Sequence, residues 1–144
     1  PLALTVALLS AATIPLPNLS AEASTENPRV VSLLRLVSEP ERWQGRLVEV
    51  SGWLEMREEE TALYFHREDA DQMLVENAVW IRVTSTTKRQ GQPGRYCIVV
   101  GRFSATDHGH LGAFTGAITA ERISPRRSRV ENQMPPKRER PKEH

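Results

Sequence analysis

The stretch Arg46 to Leu54, Arg-Leu-Val-Glu-Val-Ser-Gly-Trp-Leu, restricts the possible folds more than any other part of the chain. Its alternation sends Val48, Val50, Gly52 and Leu54 to one side and Leu47, Glu49, Ser51 and Trp53 to the other. That is the period-2 pattern of a half-buried β-strand. Gly52 has no side chain to pack, so it predicts a bulge or sharp coil where one strand bends to serve both halves of a closed sheet.

Four further strands follow the same logic. Thr61 to His66 is rich in aromatic residues, and Ala78 to Thr84 alternates Val79, Ile81 and Val83 against Trp80 and Arg82. Arg95 to Ala105 carries a second internal glycine, Gly101, and Phe114 to Ile123 a third, Gly116, before Ser124-Pro125 stops it. Between them, Glu55 to Glu60 is a charged hairpin tip, Arg67 to Asn77 a polar and acidic stretch, Ser85 to Gly94 a hydrophilic loop, and Thr106 to Gly112 a loop of glycine and histidine. The whole chain of 144 residues has room for one domain. Five strands of this length suit a small closed barrel better than a sandwich of seven or more. The expectation is a mainly β protein, a small five-stranded barrel, closed or nearly closed, with an N-terminal capping helix.

That helix is read from Asn27-Pro28, a cap residue before a proline suited to a first helical turn, followed by Val30, Leu33, Leu34 and Val37 at helical spacing through Ser38. A further turn restarts at Ser38-Glu39-Pro40 and ends near Gly45. Ahead of it, the 14 apolar-rich residues Pro1 to Ile14 are too few to span a bilayer core of ~30 Å. With Ala21 and Ala23 they match the hydrophobic region and cleavage site of an export signal, cut after Ala23. The organisation expected is a signal peptide at 1–23, a linker at 24–28, the barrel at 29–124 and a tail at 125–144. The expected location is outside the cytoplasm, in a bacterial periplasm.

The formal charge of +1 hides an asymmetry. From Pro125 to His144 there are seven Lys or Arg against three Glu, a net +4, which leaves 12 basic and 15 acidic residues, a net −3, for the rest. The tail has almost no apolar residues with which to offset its ordering entropy and is expected to be disordered. A mildly acidic body argues against a barrel built around a nucleic-acid groove, since such surfaces need positive charge to displace phosphate counterions. The single cysteine, Cys97, lies in the apolar run Tyr96 to Val100 and is expected to be a buried, unreactive thiol.

Arg46 to Leu54, together with Tyr-Cys-Ile-Val-Val-Gly-Arg-Phe at 96 to 103, resembles the first and fourth strands of OB-fold domains. A helix before such a strand, behind an export signal, is similar to the small exported OB-fold proteins of bacteria. Leu-Tyr-Phe-His-Arg-Glu-Asp at 63 to 69 and His-Gly-His-Leu-Gly-Ala-Phe-Thr-Gly-Ala-Ile at 108 to 118 are similar to motifs of an uncharacterised bacterial family. The resemblance implies an OB-like barrel from which the usual helix between the third and fourth strands is lost, because only the loop at 85 to 94 stands there. It also implies ligand binding on the barrel surface, by analogy alone.

Imidazole and carboxylate groups concentrate after the second and fourth strands. His66, Arg67, Glu68 and Asp69, with His108 and His110, form the candidate ligand-binding set. A divalent metal shared among His66, Asp69, His108 and His110 is the sharper alternative, though no established ligand spacing is matched. The plainer reading is that His66 and Asp69 brace loop backbone while Asp107-His108-Gly109 forms an Asx turn. A metal-dependent hydrolase at the same residues would lack an evident nucleophile. A nucleic-acid reading would stack bases on Trp53, Tyr64, Trp80 and Phe103 and set Arg46, Arg82, Arg95 and Arg102 on phosphates. The principal expectation is a non-enzymatic binding or accessory module of the cell envelope without a cofactor, its partner an envelope protein or a small ligand.

Overall fold

The computed structural model describes residues 26–127, and the strand read from Arg46 to Leu54 stands at its centre as β2 (Leu47–Met56). Val48, Val50 and Leu54 are fully buried, as the alternation requires. One edge of β2 pairs antiparallel with β5 (Arg95–Ser104), in register from Leu47↔Arg102 to Leu54↔Arg95. Its other edge is divided between two short strands. There β1 (Arg29–Val30) runs parallel beside Val48 and Glu49, and β3 (Thr61–Tyr64) runs antiparallel beside Trp53 to Met56.

Two more strands complete the barrel. β4 (Ala78–Arg82) pairs antiparallel with β3 and parallel with β6 (Ala117–Pro125), which returns antiparallel to β5. The order β2-β3-β4-β6-β5 therefore closes back on β2, which removes every sheet edge except that of β1. The result is a mainly β, closed five-stranded barrel with a few short helices, as expected from the sequence.

The bulge expected at Gly52 falls elsewhere. Register runs unbroken through Ser51↔Ile98, Gly52↔Cys97 and Trp53↔Tyr96, and the irregularity lies between β5 and β6, where Val100↔Arg122 and Gly101↔Ala120 leave Glu121 of β6 as the extra residue. What Gly52 provides is clearance: a Cβ there would lie 2.6 Å from the Tyr64 carbonyl oxygen. It marks the point where β2 passes from β1 to β3.

The N-terminal helix starts later than its sequence pattern predicts. Arg29 and Val30 are extended, Val31 donates its N–H to Glu49 O at 3.0 Å, and the helix α1 (Leu33–Ser38) is capped by Ser32. A β-branched Val-Val pair gains more from sheet pairing than from two further residues of a short helix. The shift also changes which residues face inward. Leu33 and Leu36 are buried among Val48, Ile81 and Ile118, while Leu34 is left 60% exposed. The following turn, α2 (Pro40–Trp43), begins with its proline as expected and buries Trp43.

Two further helices were not anticipated. The polar stretch after β3 forms α3 (Arg67–Asp71) and a 3₁₀ turn (Val75–Asn77). The loop thought to have lost its helix contains α4 (Ser85–Gln90). Thr84 Oγ1 accepts from the Thr87 N–H at 3.2 Å, and Thr87 Oγ1 accepts from the Thr84 N–H at 2.8 Å. Thr87 is buried, and Gln90 Oε1 accepts the Ile123 N–H at 3.2 Å, tying the helix to β6. A Ser-Thr-Thr start has weak helix propensity and no apolar period, so the cap and the packing decide here. Thr84→Ala is expected to cost about 1 kcal/mol in urea unfolding, and Thr84→Ser most of that less.

Strand ends also differ. β6 begins at Ala117 rather than Phe114 and continues through Pro125, past the expected stop. Among the described residues no helix is long and apolar enough to cross a membrane. The expected signal peptide and the tail beyond residue 127 lie outside the described residues.

Candidate functional site

His66 stands where β3 ends, in extended conformation as the cap residue of α3. Its backbone N–H donates to Asp69 Oδ2 at 2.9 Å, and Asp69 Oδ1 accepts from Asn77 Nδ2 at 3.0 Å. Asp69 thus ties the start of α3 to the 3₁₀ turn behind it. The His66 ring also reaches Tyr96, with Nδ1 at 3.2 Å from the Tyr96 hydroxyl. Arg67 lies over the Trp53 ring and pairs with Asp71 at 3.4 Å, while Glu68 is exposed.

The loop after β5 is held by a different set of contacts. Asp107 accepts two hydrogen bonds from Arg82, one from Nε and one from Nη2 at 2.8 Å, and a third from the Gly109 N–H at 3.1 Å. His108 Nδ1 is 2.9 Å from the Phe114 carbonyl, so it carries the proton and donates it. His110 stacks on Trp80 with ring centroids 6.2 Å apart. Gly109 takes a left-handed φ of +63° and lies so close to Trp80 that a Cβ would fall 2.5 Å from Trp80 Cγ.

Arg82 holds the Asp107 carboxyl below the usual carboxylate range, chiefly through their hydrogen bond and against the opposing effect of burial. A depressed folded-state pKa stabilises above the unfolded value of ~3.9 and is lost as pH falls through the folded one. Because the Arg82 side chain is more than half exposed and the pair is open to solvent screening, the effect on global stability is small, about 0–1 kcal/mol. Arg82→Ala is expected to move the Asp107 carboxyl pKa upward in a ¹³C NMR titration; an unchanged value would remove the ion pair from the account.

The two loops meet, but not through their histidines. Ala70 of α3 and Phe114 pack in one cluster with Ala62, Tyr64 and Ala78 on the outward face of β3 and β4. His66 faces Tyr96, whereas His108 and His110 serve the loop and Trp80. The four residues considered as metal ligands are not gathered: among the described residues no three His, Cys, Asp or Glu side chains form a group able to hold a metal ion. Of the aromatic residues considered for base stacking, Tyr64 and Phe103 are buried. Cys97 is buried as well, and burial pushes its thiol pKa up, away from the nucleophilic thiolate.

An open groove of about 500 Å³ lies where β1 and β3 meet along β2. Val30, Glu49, Ser51, Phe65, Tyr96 and Arg126 line it together with His66. It exists because the two strands arrive head to head at Gly52 and the chain leaves the sheet on both sides, into α1 and into α3. A smaller, mostly apolar pocket of about 160 Å³ adjoins it, sharing Leu33, Phe65 and His66 and adding Leu34, Val37, Asp69 and Asn77. Val30 is 80% exposed and Phe65 39%, so the walls carry apolar surface that the barrel does not cover. A second groove of about 390 Å³, lined by Arg57, Glu60, Trp80, Arg82 and Lys88, opens beside the hairpin tip.

No family model matches the chain, and no curated protein matches it. Among solved structures it is similar to a DUF3299 family protein from Pseudomonas aeruginosa PAO1, at 11% identity and a TM-score of 0.45. The alignment covers 72% of this chain and 99% of that one. A likeness of that degree carries no argument about the site.

Of the groove residues, only His66 was singled out by residue type. Glu49 had a signal of its own, a carboxylate on the outward side of an otherwise apolar strand. Val30, Phe65, Tyr96 and Arg126 are brought together only by the pairing of distant strands.

Proposed function

We propose that this protein is a non-enzymatic binding or accessory module, exported to the cell envelope, whose ligand enters the groove beside His66. The observation that carries the reading is the groove itself, about 500 Å³ of open space with apolar walls and several polar groups, bordered by the His66 ring, whose Nδ1 lies 3.2 Å from the Tyr96 hydroxyl. Ligand sites are concave, mostly apolar and equipped with a few placed polar groups. Support for export comes from the apolar stretch before Pro15 and the Ala21-x-Ala23 pattern.

A fragment screen followed by ¹⁵N NMR tests the site. Shifts are expected to gather on Ser51, Phe65, His66 and Tyr96, to weaken in His66→Ala and to persist in His108→Ala, whose ring holds Phe114 instead. Shifts gathered around Trp80 would overturn the placement. For export, N-terminal sequencing of protein purified from its native host should read from Ser24, and an uncleaved chain recovered from the cytoplasm would remove that part of the reading.

A further inference from the structure

Two half-buried carboxylates, Glu49 and Glu55, lie on the outward face of β2, and of the two Glu49 lines the groove. Its side chain is half-buried on the outward face of β2, and its cross-strand neighbours are Val100 on β5 and Val30 on β1. Among the described residues its carboxylate has neither an ion pair nor a hydrogen bond. A partly desolvated carboxylate without a partner costs stability, and that cost is offset when a cationic group binds beside it. Phe65 and Tyr96 stand on the same groove and present aromatic rings, which also favour a cation.

The groove carries the opposite charge as well. Arg126 lines it, and among the described residues its guanidinium is paired neither with Glu49 nor with any other carboxylate. A ligand bearing only an ammonium would leave the exposed Arg126 guanidinium to water, and one bearing only a carboxylate would leave the half-buried Glu49 without a partner. Adjoining the groove at Leu33, Phe65 and His66 opens the pocket of about 160 Å³, whose wall is mostly apolar (Leu33, Leu34, Val37 and Phe65) with Asp69 and Asn77 at its polar side, room for one aliphatic side chain.

Building on the proposed groove, we infer that it takes a zwitterionic amino compound with an aliphatic side chain, a free amino acid or a short peptide. The ammonium lies at Glu49 between the rings of Phe65 and Tyr96, the carboxylate at Arg126, and the side chain in the apolar pocket. Ser51 supplies a neighbouring hydroxyl. Opposite charges placed apart on one groove fix the ligand's direction, and the pocket fixes which end carries the side chain.

The test is calorimetric and NMR titration of the full chain with L-leucine and L-leucyl-L-leucine, against N-acetyl-leucine, which lacks the ammonium, and leucinamide, which lacks the carboxylate. One parent compound should bind, with shifts on Ser51, Phe65 and Tyr96. Each blocked analogue should bind roughly tenfold or more weakly, the loss expected for one charged hydrogen bond. Which parent binds better distinguishes the free amino acid from the peptide. Glu49→Gln should weaken the parent to a similar degree while keeping the melting temperature unchanged or higher, because it removes an unpaired charge.

Analogues that bind as well as the parents, or a Glu49→Gln variant with undiminished affinity, would overturn the assignment of charges. Failure of both parents, with fragments still shifting groove resonances, overturns the ligand class alone and leaves the binding groove in place. Failure of every probe at the groove overturns both.

Discussion

Phe103→Ala should cost the barrel about 3–5 kcal/mol in guanidinium unfolding, the range for a buried aromatic truncated in a core. Phe103 is 1% exposed and belongs to the same cluster as Leu36, Ile81 and Ile118, so its ring fills space bounded by the strands and the capping helix. The backbone around it is also occupied. Its N–H donates to Arg46 O at 3.0 Å and its carbonyl accepts from Gly45 N–H at 2.8 Å, which limits how far the chain can move to close a cavity. The ring edge sits against Gly116, where a Cβ would fall 2.5 Å from Phe103 Cζ. A loss under about 1 kcal/mol at unchanged denaturant dependence would show that the interior is sealed without this ring.

Gly101→Val should destabilise by about 1–3 kcal/mol or more through overpacking, with no contribution from the ligand groove. The residue sits at the register shift between β5 and β6, where a Cβ would meet the Thr119 carbonyl oxygen and lie 2.8 Å from Ile118 Cγ2. The first obstacle is backbone, so rotamer changes cannot relieve it. Pairing on both sides of the position, Val100↔Arg122 and Gly101↔Ala120, would have to separate. Chemical denaturation measures the effect, and a variant as stable as the parent would show that β5 and β6 are less closely apposed than described. Gly101→Ala should fall between the two, since it brings the clash but adds no γ-methyl groups.

Much of the barrel was legible because strand patterns are local. Val79 and Ile81 are buried against the half-exposed Trp80 and the exposed Arg82, as alternation requires. The helical residues between strands were less legible. Val30 and Leu34 fit a helical stripe, yet the pairing of Val31 with Glu49 moved the helix start and turned both outward. α4 escaped notice because its stability rests on a Thr84–Thr87 cap and on burial of Thr87, neither of which shows as apolar periodicity.

The histidine-bearing motifs show the same division at the level of the site. Residue chemistry pointed to His66, Asp69, His108 and His110 as a possible set, and their spacing along the chain allowed it. The fold instead gives Asp69 to the α3 cap and Asn77, His108 to Phe114 and His110 to Trp80. Asp107 does sit in an Asx turn with Gly109, a contact two residues long that sequence can express.

The amino-acid sequence by itself determined which faces of Arg46 to Leu54 point in and out, since side-chain direction follows the period of the strand and needs no partner. It also placed the Glu49 carboxylate on the outer face. Only the tertiary structure decided that β1 and β3 would share one edge of that strand and meet at Gly52. The groove is a property of that meeting. Its walls come from residues 30, 49, 65, 96 and 126, and no local rule relates positions so far apart in the chain until strand pairing brings them side by side.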